Sequence, residues 1–250
     1  PEAVGQRVGA SLKNALGSDC RQVHVLNDSV AAMLGASDVQ AGIILGTGVN
    51  VCYTEACRNI PKIQESLLAD SMIISTEIGE FDGFPKSTFD GMVIRNSDEP
   101  AMAHAEKQCA GAYLGELISL AWQEAAREGL IAPAFAEPVD LPRISDYLAG
   151  EYGSLPQDPG AGEIAGTMLH RAAKIAAVLT AGAVLRSSVP GDTCRIVIEG
   201  SQYTKLTGFA DLFRQELKAL LQLRNIGFTI AQVENSCMIG AALAAFAEPV

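Results

Sequence analysis

Ile43-Ile44-Leu45-Gly46-Thr47-Gly48-Val49-Asn50-Val51-Cys52-Tyr53-Thr54-Glu55 sets the reading of this 250-residue chain. An apolar run, Ala41 to Leu45, reaches a Gly-Thr-Gly turn, and a second run, Asn50 to Thr54, returns from it. The pattern predicts a β-hairpin. Two glycines around a hydroxyl residue also let backbone N–H groups converge on an anion, with the Thr47 hydroxyl as a further donor. Hairpins use glycine for their own turn geometry, so a plain turn stands as an equal reading. No G-x-x-x-x-G-K-[ST] occurs, so the turn is not a Walker A loop.

Upstream, Ala3 to Leu16 has the apolar spacing of an amphipathic helix, and Gln22 to Leu26 reads as a strand. Asn27-Asp28-Ser29 follows it and caps a helix over Val30 to Leu34. Downstream, Ser71 to Ser75 is a strand ending at Thr76-Glu77-Ile78-Gly79, and Glu80 to Pro100 is rich in turn formers and reads as a loop. A long helix is expected from Ala101 to about Glu128, then a stretch broken by Pro133, Pro138 and Pro142. Glu163 to Ser187 reads as a buried, Ala-rich helix. The chain closes as strand (Arg195–Glu199), helix (Phe209–Leu223), strand (Phe228–Val233) and helix (Met238–Phe246). Hairpin, strand, long helices and then β-α-β-α argue for a layered α/β fold.

Hydrophobic residues make up 48% of the chain and charged ones 19%, enough for a substantial core. The net charge of −11 disfavours nucleic acid as a partner, because no excess of Lys and Arg is present to neutralise phosphates. One small anion can still be held by backbone N–H groups. The six cysteines form no C-x-x-C pair and read as reduced thiols of a cytoplasmic protein, several of them buried. The three histidines show no ligand spacing, and no metal site is expected from the side chains. The apolar run Ala172 to Val184, bracketed by Arg171, Lys174 and Arg186, is too short to cross a bilayer, so no membrane partner is expected.

Besides the Gly-Thr-Gly turn, three groups of residues are candidates for chemistry. Asp28 follows a strand, where α/β sheets place ligands, and a carboxylate there can take a proton from an alcohol. The plainer reading is a helix cap. Asn50, Glu77 and Glu106 are side chains suited to sugar hydroxyls, each of which donates and accepts; Glu106 alone reads more simply as a charge near a helix start. Glu199-Gly200-Ser201 and Ser236 to Ala241 lie between strand and helix, where a nucleotide can rest, although ordinary β-α turn chemistry explains them as well.

Taken in order, these segments resemble the hexokinase family of the actin-like ATPase superfamily. Leu26-Asn27-Asp28-Ser29-Val30-Ala31-Ala32-Met33-Leu34 is similar to the family's N-D-T-V-A-T-L stretch, and Ile43 to Glu55 to its phosphate hairpin I-x-G-T-G-x-N-x-C-Y-x-E. Met72 to Phe81 resembles I-N-x-E-W-G-x-F. Glu106-Lys107 with Gly111 to Leu117 resembles E-K-x-x-x-G-x-Y-L-G-E-L. Val197 to Ser201 resembles the adenosine-side D-G-S turn, and Gly240 to Leu243 the late G-A-A-L helix.

The resemblance implies a ribonuclease H-like (actin-like ATPase) large lobe over residues 1–250, a mixed sheet flanked by helices. It implies ATP-dependent phosphorylation of a hexose, glucose above all, at its 6-hydroxyl, the first step of glycolysis. Asp28 is then the general base, and Asn27, Asn50, Glu77 and Glu106 bind the other hydroxyls. Gly46, Thr47 and Gly48 hold the ATP phosphates, Gly111, Gly200 and Ser201 border the adenosine, and Mg2+ is held through ATP and water. Three departures stand out: Ile78 replaces the family's Trp, Glu199 its Asp, and Thr204 is inserted between Tyr203 and Lys205. The family's D-x-G-G-T-N phosphate motif and T-K-G sugar contact are absent from the sequence, so an N-terminal small lobe is expected upstream, and the chain alone is expected to be inactive. A non-catalytic hexose-binding or regulatory relative is the alternative.

Overall fold

The computed structural model describes residues 8–17, 23–62, 70–231 and 233–246. Its centre is a five-stranded sheet. β1 (Ala41–Leu45) and β2 (Val49–Ala56) form the expected hairpin, with Ile43 opposite Val51 and Leu45 opposite Val49. β3 (Ser71–Ser75) pairs antiparallel with β2. β4 (Thr193–Glu199) lies parallel to β1, and β5 (Gly227–Ala231) parallel to β4, giving the order β3-β2-β1-β4-β5.

Alternation along the strands sorts side chains onto two faces. Ala41, Ile43 and Leu45 of β1 and Cys194, Ile196 and Ile198 of β4 enter the main core. Above that face lie α7 (Pro159–Ser187), α9 (Phe209–Gln222) and α5 (Gly111–Arg127), with Trp122, Phe135 and Phe213 fully enclosed. Cys52 and Val197 point the other way, against Ala32, Met33 and Ala36 on and just after α2 (Asp28–Leu34). On this second face α2 packs against α10 (Ser236–Phe246). The two helices meet backbone to backbone, because a Cβ on Gly240 would run into the carbonyl of Ala31 and one on Gly35 into that of Ser236.

The expected strand over Gln22 to Leu26 does not form in its described part. Residues 23–26 are irregular and Val25 is mostly exposed. The five strands already pair with one another, and an extended segment without a ladder partner gains no hydrogen bonds. Of the first helix, α1 (Val8–Leu16) is described; the expected start at Ala3 lies outside the described residues.

Three α-helices among the described residues form where the sequence reading expected none. α3 (Thr88–Asn96) starts at a capping box in which Ser87 and Asp90 bond each other's backbone N–H. α6 (Leu141–Leu148) starts at Asp140, whose carboxylate accepts the Arg143 N–H, with Pro142 in its first turn. The single helix expected over Ala101 to Glu128 is two, α4 (His104–Cys109) and α5, separated by the extended Ala110. The third unexpected helix, α8 (Ser201–Lys205), is short and follows β4.

α7 corrects the reading that no apolar segment is long enough to cross a membrane. Its 29 residues meet that test by length and composition. Its place in the core accounts for its apolar character, since Leu169, Ala173, Ala176, Ala177 and Val184 are buried. Cys52, Cys57, Cys109 and Cys194 are buried free thiols, and Cys237 is partly exposed. Cys20 lies outside the described residues.

Candidate active site

The C-terminal end of β3 delivers Glu77 to the start of α2. Glu77 is left-handed, with φ 49° and ψ 42°, a conformation uncommon for a residue with a side chain. Its Oε1 accepts hydrogen bonds from Asn27 Nδ2 at 3.0 Å, Asn50 Nδ2 at 3.1 Å and the Ser75 hydroxyl at 2.8 Å. Asn27 is the N-cap of α2, its Oδ1 accepting from the Ser29 N–H at 3.0 Å and the Ser29 hydroxyl at 2.6 Å. Asn50 is buried at the base of the group. Its Nδ2 lies within reach of four acceptors: Asn27 Oδ1, Ser29 Oγ, Ser75 Oγ and Glu77 Oε1. The two serine hydroxyls also donate, Ser29 to Asn27 Oδ1 and Ser75 to Glu77 Oε1, so amides, hydroxyls and a carboxylate form one connected polar network.

Asp28 stands beside this cluster in the first turn of α2 and is exposed. Its Oδ1 accepts the Ser29 N–H at 2.7 Å. Glu106 reaches the same region from α4. Its Oε2 accepts the Val49 N–H at 3.0 Å and lies against Gly48, where a Cβ would be 2.5 Å away. Gly79 also closes on Glu106. Glu106 therefore ties the hairpin turn to the segment that carries Glu77.

The other side of the turn faces α5. The first N–H groups of a helix have no acceptor within it. In α5 those of Gly111 and Ala112 bond Gly46 O at 2.8 Å and Thr47 O at 3.2 Å. A Cβ on Gly111 would lie 2.7 Å from Gly46 O, so only glycine allows this approach. Gly200, at φ 129°, passes closer still to the carbonyl of Leu45, where a Cβ would lie 2.2 Å from the oxygen. Between α5, α6 and α8 opens a cleft of about 480 Å³, lined by Gly46, Thr47, Gly111 and Ser201 together with Leu141, Pro142, Ser145, Asp146, Gln202, Lys205 and Leu206.

The predicted residues thus fall into two sets joined by the turn at 46–48. Asn27, Asn50 and Glu77 bond one another, with Asp28 and Glu106 beside them. Gly46, Thr47, Gly111 and Ser201 share the cleft. Gly48 abuts Glu106, and Gly200 lines a neighbouring groove with Glu199 and Asn235. Lys205 reaches the cleft despite the inserted Thr204, whose hydroxyl donates back to Gly200 O at 3.1 Å. Sequence reasoning missed Ser29 and Ser75 in the polar cluster and the whole α6 wall. The Asp140-Leu141-Pro142 helix start was the available signal for that wall.

Glu199 caps α10, its carboxylate accepting from the Ser236 hydroxyl and from the Cys237 N–H at 2.9 Å. Burial pushes this carboxyl up, but the hydrogen bonds from Ser236 and Cys237 outweigh that and leave it below the usual range. The Cys237 thiol donates to Asp28 O at 3.3 Å and is pushed up to about 12 by burial and by the Glu199 charge. Among the described residues no group of three or more His, Cys, Asp or Glu side chains is placed to hold a metal.

The sequence profile of the hexokinase family matches residues 40–148 and 161–247. The Hexokinase-like 1 protein of Arabidopsis thaliana is 38% identical over 122 residues, which cover 46% of this chain and 25% of that protein. The chain thus spans about a quarter of the length of that relative. A hexokinase from Schistosoma mansoni, solved with glucose, superposes with a TM-score of 0.73 over 92% of this chain and 60% of that one, at 19% identity. A ROK family glucokinase from Streptomyces griseus, solved with glucose and AMPPNP, gives 0.57 over 95% and 71%, also at 19% identity. The fold is that of the actin-like ATPases, a mixed sheet between helices. With its profile matched over most of its length, the chain belongs to the hexokinase family.

Proposed function

We propose that this chain is the large lobe of an enzyme that transfers the γ-phosphoryl group of ATP to the 6-hydroxyl of a hexose, with glucose as the first candidate. The observation that carries this reading is the polar network of Asn27, Asn50 and Glu77, next to the exposed Asp28 carboxylate and one turn away from the cleft. Amides and a carboxylate at an exposed edge suit a polyhydroxyl ligand, each of whose hydroxyls donates and accepts.

In this reading Asn27, Asn50, Glu77 and Glu106 hold the ring hydroxyls and aim the primary alcohol at Asp28. Asp28 takes the hydroxyl proton as the alcohol oxygen bonds to phosphorus and the bond to the ADP oxygen breaks. Gly46, Thr47 and Gly48 present the turn to the phosphates, and Gly111, Gly200 and Ser201 border the adenosine. Mg2+ arrives with the nucleotide in this reading, since this ion keeps its water and phosphate ligands. When bound, it offsets charge on the phosphates. We place the reaction at the entry to glycolysis in the cytoplasm.

Phosphoryl transfer needs water excluded from the site, and here Asp28 and Glu77 are exposed. A closing second lobe meets that need, so the 250-residue chain alone is expected to show no appreciable turnover. An ADP-release assay across a panel of hexoses, run on the chain alone and on the enzyme carrying both lobes, tests this. Activity on glucose only in the two-lobed enzyme supports it, and robust turnover by the chain alone contradicts it. A hexose-binding protein without transfer is the second reading, favoured by Ile78 and by Glu199, whose carboxylate is engaged in capping α10. Calorimetric hexose binding without ADP release in the two-lobed protein establishes that reading.

A further inference from the structure

Gln202 is 97% buried on α8, yet its Oε1 is the one buried side-chain polar atom without a hydrogen-bond partner among the described residues. Nε2 donates to Cys109 O at 2.6 Å, which identifies Oε1 as the unpaired atom, since an amide turned over would set two oxygens against each other. A buried acceptor left unpaired is costly, and natural proteins keep few of them. Gln202 lines the cleft of about 480 Å³.

Its position selects the ligand group. The Gln202 Cβ sits next to Gly111, whose N–H is bonded to Gly46 in the turn. Leu141, Pro142 and Leu206 give the cleft apolar wall that suits the faces of a base. A phosphate ionised at neutral pH offers no donor to an acceptor oxygen. The group between phosphates and base that carries donors is the ribose.

We propose that Gln202 Oε1 accepts a hydrogen bond from a ribose hydroxyl of the bound nucleotide and so selects ribonucleotides over deoxyribonucleotides. The inference rests on the reading of this cleft as the nucleotide site. Because Oε1 is closed off from solvent, nucleotide entry re-seats the side chain about its bond to Cys109 O.

Titration calorimetry of the enzyme carrying both lobes with Mg-ATP, 2′-deoxy-ATP, 3′-deoxy-ATP and ITP tests it. One of the two deoxy analogues is expected to bind roughly tenfold more weakly than ATP, the loss of about one hydrogen bond. ITP, which keeps the ribose and lacks the base amine, is expected to bind like ATP. Gln202→Met is expected to bind ATP and that deoxy analogue equally. Both deoxy analogues binding like ATP overturns the proposal, as does discrimination against ITP alone. These outcomes come from the wild-type enzyme and stand even if the variant does not fold. No ATP binding at all overturns instead the nucleotide reading beneath it.

Discussion

The Glu106 carboxylate accepts the backbone N–H of Val49 at 3.0 Å, across 57 positions of sequence. This bond joins α4 to the first residue of β2 and sets the acidic side chain between Gly48 and Gly79. A turn proposed to hold phosphates and a cluster proposed to hold a sugar are thereby mechanically one unit.

Glu106→Gln is expected to keep the fold and to weaken hexose binding. A hydrogen bond to a charged group contributes about 1.5–3 kcal/mol, so the dissociation constant rises roughly tenfold to a hundredfold. Calorimetry of the two-lobed enzyme with glucose checks this. An unchanged affinity removes Glu106 from the sugar set.

Gly48→Ala places a methyl group 2.5 Å from Glu106 Oε2. The carboxylate has to move, and overpacking of this kind costs about 1–3 kcal/mol. The expected outcome is a lower Tm together with weaker hexose binding. A loss of stability alone contradicts the mechanical link between turn and sugar cluster.

Arg171 on α7 donates to both oxygens of Asp90, at 2.9 and 2.8 Å, and to Gln108 Oε1 at 2.8 Å. Asp90 is fully buried. Arg171→Met leaves that carboxylate without its counter-charge, which costs about 3 kcal/mol or more. Urea unfolding is expected to show a lowered midpoint. The same midpoint as the wild type contradicts this account of how α3, α4 and α7 are held together.

Much of this was legible in the sequence. The hairpin, β3 and the paired glycines follow from short-range pattern, and Asn27, Asp28, Asn50, Glu77 and Glu106 sit in motifs that keep their spacing. The break at Ala110 was not legible, because it exists only to turn the N-terminus of α5 onto the carbonyls of Gly46 and Thr47. The missing strand at 23–26 fails for a similar non-local reason, the want of a partner. α3 and α6 are different: their capping residues were in plain view among glycines and prolines that pointed to loops. The orphan Gln202 oxygen depends on tertiary packing and has no local signal.

Asp158 caps the longest helix. Its carboxyl is held below the usual range by the Ala132 N–H and, more weakly, by those of Ala161 and Gly160. A folded-state pKa below the unfolded one means that the stabilisation is complete above the ordinary carboxylate pKa. It is lost as pH falls through the lower folded value. Asp158→Ala is expected to cost about 1 kcal/mol at neutral pH, read as a drop in Tm. The gap from wild type should close on acidification below about pH 4; a gap that persists there contradicts the capping account.

The most direct test is the turnover of Asp28→Asn in the enzyme carrying both lobes, measured beside its glucose affinity. A general base contributes roughly 10²–10⁴ in rate, so kcat is expected to fall by that factor while glucose binding stays close to wild type. Turnover retained within tenfold of wild type contradicts the assignment of Asp28 as the base.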